Sequence, residues 1–162
     1  MRKTMKKGIA LGLSLGLAVA SLSGCQGSGR TADGKVKLSF QIWDTAQRAG
    51  MQSVVDAYMA QNPNVSIELQ VTSWDEYWTK LDAAAESNQL PDIFWMHTNQ
   101  ILKYADYGML ADVTNLYDDV DPNFYTEHFS EVSLDNAKGS DGKMYGVPKD
   151  KDTICLVYNK EM

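Results

Sequence analysis

Three short stretches carry side chains suited to gripping a small polar molecule: Trp43 and Asp44 with Arg48 close behind, Thr72–Trp74, and Trp95 with His97, Thr98 and Asn99. Each sets an indole near short polar or charged groups. A sugar ring offers a C–H face that stacks on an aromatic ring and hydroxyls that pair with Asp, Asn or Arg, so the chemistry these residues favour is carbohydrate binding. Each has a plainer competitor. Trp74 and Tyr77 fall on an apolar helical stripe and read first as core. Trp95 alternates with Phe94 in an apolar run, which leaves packing and ligand contact both open. Asp44 and Asn99 could simply cap the helices that follow them. Covalent and metal chemistry find less support. The two histidines, His97 and His128, match no zinc spacing, no G-x-S-x-G motif occurs, and no metal or cofactor is called for.

The elements that must position these residues alternate regularly. The segment 35–43 (KVKLSFQIW) places Val36, Leu38, Phe40 and Ile42 on one face and predicts a strand. Residues 47–61 predict a helix through Met51, Val54, Val55, Tyr58 and Met59, stopped by Asn62-Pro63. Residues 65–72 alternate again. Ser73 opens a second helix with a stripe of Trp74, Tyr77, Trp78, Leu81 and Ala85, and Glu76 completes a capping box. Residues 92–96 (DIFWM) suit a strand covered on both faces. A third helix is expected over 100–107, closed by Gly108. Short strands are expected over 143–147 and 153–158, the latter burying the lone thiol of Cys155. This β-α-β-α-β order argues for a parallel sheet flanked by helices. In such a sheet ligands bind beyond the carboxyl ends of the strands, which selects the three stretches above without further assumption.

The front of the chain is built differently. Arg2, Lys3, Lys6 and Lys7 precede an uncharged apolar run, 8–20, which is too short to span a bilayer and ends at Leu22-Ser23-Gly24-Cys25. That tetrapeptide resembles the bacterial lipobox, in which the cysteine is acylated on its thiol and becomes the mature N-terminus. Several acyl chains would hold a domain at a membrane surface. Residues 26–34 (QGSGRTADG) have the composition of a flexible tether. The expected organisation is a signal peptide over 1–24, a lipidated Cys25 and tether over 25–34, and a binding domain over 35–162. Removing 1–24 takes four of 15 basic residues and none of 21 acidic ones. The mature part thus has a net charge of −10, which excludes a nucleic-acid surface.

Four stretches together resemble a known family: Ile42-Trp43, then 90–95 (LPDIFW), then 107–114 (YGMLADVT), and finally 142–148 (GKMYGVP) leading to 157–160 (VYNK). In this order and spacing the chain is similar to the extracellular solute-binding proteins of ATP-driven importers, in the group of maltose and oligosaccharide receptors. The resemblance implies a periplasmic-binding-protein-like α/β lobe with a parallel-dominated sheet, facing a second lobe that lies largely outside this chain, with solute trapped by hinge closure. It implies ligand contacts at Trp43, Asp44 (with Thr45 and Gln47 near it), Trp95, Asn99 and Asp152. Thr98 and Asn99 stand where the maltose receptor has an acidic and a basic residue, which argues against the same sugar. The expected partners are a small solute such as a saccharide, an ABC transporter permease and the membrane through the lipid anchor, with the receptor working as a monomer outside the cytoplasmic membrane, in the periplasm or at the cell surface. The alternatives are an anchored interaction or sensory protein, or a carbohydrate-active hydrolase.

Overall fold

The computed structural model describes residues 29–152 and 155–161. The leader and Cys25 lie outside them. At the centre is β1 (Val36–Ile42), paired in parallel along its whole length with β2 (Val65–Val71), from Val36 opposite Val65 to Ile42 opposite Val71. On the other edge β1 pairs in parallel with the two-residue β3 (Ile93–Phe94), giving the order β2-β1-β3. Helices α1 (Arg48–Gln61), α2 (Trp74–Glu86) and α3 (Thr98–Asp106) follow the three strands in turn. Two short helices, α4 (Phe124–His128) and α5 (Glu131–Asp135), complete the regular structure.

The period-2 alternation of β1 divides two cores. Phe40 and Ile42 pack with Val55, Met51 and Met59 of α1, with Ile67, Leu69 and Val71 of β2, and with Trp95. On the opposite face Tyr77 and Leu81 of α2 meet Tyr104 of α3, together with Phe94, Met96 and Trp43. Tyr77, Leu81, Tyr104 and Ile42 are fully buried, each contributing on the order of 1.5–3 kcal/mol relative to exposure. A third cluster, of Ile101, Ala137 and Met144, joins the segment after α5 to α3.

Helix ends follow local chemistry. Both α2 and α3 finish in a left-handed residue, Asn88 (φ 55) and Gly108 (φ 69). In each the next N–H reaches back one turn, Gln89 to Ala84 O at 2.8 Å and Met109 to Tyr104 O at 2.9 Å, satisfying carbonyls that the helix leaves open. Gly139 serves packing instead. A Cβ there would lie 2.7 Å from Cε2 of Tyr145.

Several expectations are corrected. Ser73 occupies the N-cap of α2, but its side chain makes no capping bond, and Glu76 pairs with Lys80 at 2.7 Å. Val54 and Tyr58 of α1 face solvent, because Met51, Val55 and Met59 alone fill the strip over the sheet. The strand expected over 143–147 reduces to one antiparallel bridge between Lys138 and Met144. No strand forms over 155–158: Leu156 and Val157 are 92% and 86% exposed, and Cys155 is exposed rather than buried. An extended segment needs a neighbour to accept its N–H and C=O groups, and among the described residues none lies beside it. Residues 29–34 form a turn tied to β1, with Lys37 N–H donating to Gly29 O at 2.8 Å.

Candidate functional site

The chain has four tryptophans, and the fold gathers all of them where the parallel strands end. Trp43 follows β1 directly and is the hub. Its ring centre lies 5.2 Å from Trp74, 5.2 Å from Tyr77, 5.9 Å from Trp78 and 5.1 Å from Trp95. Most of these contacts are edge-to-face, the arrangement that the ring quadrupole favours. Three loops build the cluster. Trp43 and Asp44 come from the β1–α1 turn, and Trp74 and Trp78 from the first turns of α2. Trp95 follows β3, where its N–H extends the ladder to Gln41 O at 3.1 Å. The phenol of Tyr77 donates to the Trp95 carbonyl and fixes that end of the chain. Burial and then the neighbouring Tyr104 push this phenol's pKa up, so it stays a donor.

The tryptophans differ in what they present. Trp95 is only 7% exposed, whereas Trp74 is 42% exposed and turns one edge to His97 at 5.5 Å. The stripe spacing that made Trp74 look like core is filled instead by Tyr77 and Leu81, and Trp74 rests against Trp43 and Trp78 with much of its ring exposed. Trp74 is therefore the indole most open to a bound molecule.

Polar groups ring the aromatic floor. Asp44 accepts from Ala46 N–H at 2.8 Å and from Gln47 Nε2 at 2.9 Å. The Gln47 amide, then the Ala46 N–H and, more weakly, the Lys149 charge hold its carboxyl below the ordinary carboxylate range. It is thus an ionised acceptor with lone pairs to spare. His97 caps α3 by accepting from Asn99 N–H, and its Nδ1 lies 2.7 Å from Asn99 Oδ1. Asn99 is therefore joined to the edge through His97 rather than by capping the helix itself.

Lys149 is the residue that sequence reasoning missed. Its ammonium sits 4.1 Å from the centre of the Trp95 ring, donates to Gln47 Oε1 at 3.0 Å, and pairs with Asp150. A cation over an indole face is attracted by the ring quadrupole. In the sequence it belongs to the run Lys149–Asp152, of which the resemblance implied Asp152 as the contact. The structure brings Trp43, Asp44, Trp95 and the His97–Asn99 pair to one edge. From the 148–152 segment it is Lys149 that reaches this edge, while Asp152 is exposed. Among the described residues no group of three His, Cys, Asp or Glu could hold a metal ion.

Comparison with known proteins adds independent findings. Residues 53–162 match the family model of the bacterial extracellular solute-binding proteins. An uncharacterized lipoprotein of Streptomyces antibioticus is 30% identical over 84% of this chain and 29% of its own length. A diacetylchitobiose binding protein of Streptomyces coelicolor is 24% identical over 98% of this chain and 38% of its own. Among solved structures, an ABC substrate-binding protein of Listeria monocytogenes in complex with cycloalternan superposes with a TM-score of 0.58. It is 27% identical, over 68% of this chain and 28% of that one. The chain therefore spans about a third of the length of the curated relatives it matches.

Proposed function

Because the chain belongs to the bacterial extracellular solute-binding proteins, we propose that it supplies one wall of a cleft that captures a neutral oligosaccharide for an ABC importer. The observation that carries this reading is the convergence of four indoles with the ionised Asp44 at the carboxyl edge of the sheet. Aromatic faces stack on sugar C–H surfaces, and Asp44, Gln47, Lys149 and Asn99 supply acceptors and donors for hydroxyls. The diacetylchitobiose and cycloalternan bound by relatives are both saccharides. The mature part's surplus of acidic residues disfavours an acidic one.

Capture here involves no bond breaking. A glycosidase needs an acid and a second carboxylate about 5–9.5 Å apart across its cleft, the acid with a raised pKa. Asp44 is shifted the other way, and Asp150 is paired with Lys149. A second wall would complete the cleft, and a ligand drives closure only through its greater affinity for the closed form. Cys25 is proposed as the acylated anchor that keeps the receptor beside its permease, and the lipoprotein relative supports this assignment.

The test is a thermal-shift screen of the full-length, unlipidated protein against mono- and oligosaccharides, with amino acids and peptides as controls. A ligand that binds only the native state adds RT ln(1 + [L]/Kd), about 2.7 kcal/mol at a hundredfold excess over Kd. A shift with a saccharide is the expected outcome. A shift with a control alone would keep solute capture and discard carbohydrate, and silence throughout would discard capture.

A further inference from the structure

A groove of about 350 Å³ runs between the α4–α5 corner and the 148–151 segment, lined by His128, Phe129, Ser130, Ser133, Pro148 and Lys149 among others. Its size falls at the lower end of ligand pockets, which run from roughly 300 to 1,000 Å³. One lining residue belongs equally to the site already described. Lys149 borders the groove and also places its ammonium 4.1 Å over Trp95. The groove and the tryptophan edge are thus one lysine side chain apart.

The groove's chemistry repeats that of the edge on a smaller scale. Phe129 is half-buried and packs edge-on against Phe124, with ring centres 5.9 Å apart, and the imidazole of His128 leans on Phe124 at 4.8 Å. Beside this aromatic wall stand the hydroxyls of Ser130 and Ser133, 2.9 Å from each other, and the Lys149 ammonium. An apolar ring next to hydroxyls, a cation and the Asp150 carboxylate that also lines the groove suits a sugar unit again.

We propose that this groove is a second sugar subsite, continuous through Lys149 with the tryptophan edge, so that the protein takes an oligosaccharide lying from Trp74 past Lys149 to Phe129. The proposal rests on the saccharide reading above and adds to it a length requirement. Lys149 is then the residue between two sugar units, with one N–H left beyond those held by Gln47 and Asp150.

The experiment is titration calorimetry of the full-length, unlipidated protein with three series, glucose, mannose and N-acetylglucosamine, each from one to four units. Affinity should rise about tenfold or more as the chain lengthens beyond the first subsite, roughly what one added aromatic–sugar contact contributes. Ser133→Trp, which fills the groove, should abolish that gain while leaving the affinity for the shorter sugar unchanged. Retained binding of the short sugar also certifies that the variant folds. Phe129→Ala should reduce the gain several-fold without a bulky insertion. Affinity that does not depend on length, or a gain that survives Ser133→Trp, overturns the second subsite and leaves the tryptophan site standing. Silence with all three series overturns the saccharide reading and this proposal with it.

Discussion

The phenol of Tyr77 donates a 2.6 Å hydrogen bond to the backbone carbonyl of Trp95, joining the first turn of α2 to the residue that follows β3. Tyr77 is fully buried and Trp95 nearly so, so neither group can turn to water if the bond is lost. Tyr77→Phe should therefore cost about 1–3 kcal/mol, the usual toll for a buried acceptor left without its donor. Chemical denaturation of the full-length protein measures this. An unchanged midpoint would mean that the carbonyl finds another partner.

The two tryptophans that most invite mutation should behave differently. Trp95 is 7% exposed and packs with Phe40, Ile42 and Val55, so Trp95→Ala should destabilise the fold by about 3–5 kcal/mol. Trp74 is 42% exposed, and Trp74→Ala should leave folding nearly intact while weakening saccharide binding by about 1–3 kcal/mol. Calorimetry on both variants separates the roles. Full affinity in Trp74→Ala would remove it from the site.

Acid sensitivity should centre on Asp112. Its carboxylate accepts from Thr114 Oγ1 at 2.6 Å and from Thr114 N–H at 3.0 Å, and it pairs with Lys143 at 3.1 Å. The Thr114 bonds, then Lys143, lower its pKa from the usual 3.8 to about 2. A carboxyl depressed by folding contributes stability above its unfolded pKa and loses it as the pH falls through the folded value. The melting temperature should thus drop between about pH 4 and about pH 2, and Asp112→Asn should flatten that part of the curve. An identical acid limb in the variant would place the titrating group elsewhere.

The anchor gives a prediction independent of the fold. Cys25→Ser should move the full-length protein from the membrane fraction to the soluble one, since acylation requires the thiol. Continued sedimentation with membranes would exclude Cys25 as the attachment point.

How much of this was legible in the residues depends on whether the determining contact is local. The alternation in β1 and β2 and the Tyr77–Leu81 spacing of α2 encode which side faces the core, and those elements form as read. The same alternation placed Trp43 and Asp44 at the end of β1, while Trp95, expected inside the strand over 92–96, follows the shorter β3. Trp74 was misjudged because helical spacing says which side a residue is on, not whether anything covers it at the helix's first position. Lys149 was invisible for a different reason. Its partner Gln47 lies 102 residues upstream, and a Lys–Asp run carries no sign of so distant a contact. The 155–158 run has strand-like composition, but a strand is completed by its neighbour, and the described residues supply none.

The gathering of every tryptophan at one edge also determines how the chain absorbs and emits light. With Trp43 5.1–5.9 Å from each of the other three indole centres, excitation of one ring is shared with its neighbours, and the four behave as a coupled chromophore rather than as independent reporters. Tryptophan emission therefore comes from the region where solute is expected. A sugar settling on Trp74, or Lys149 leaving the face of Trp95, would alter the whole tryptophan spectrum at once, so that the unlabelled protein carries its own optical probe of occupancy.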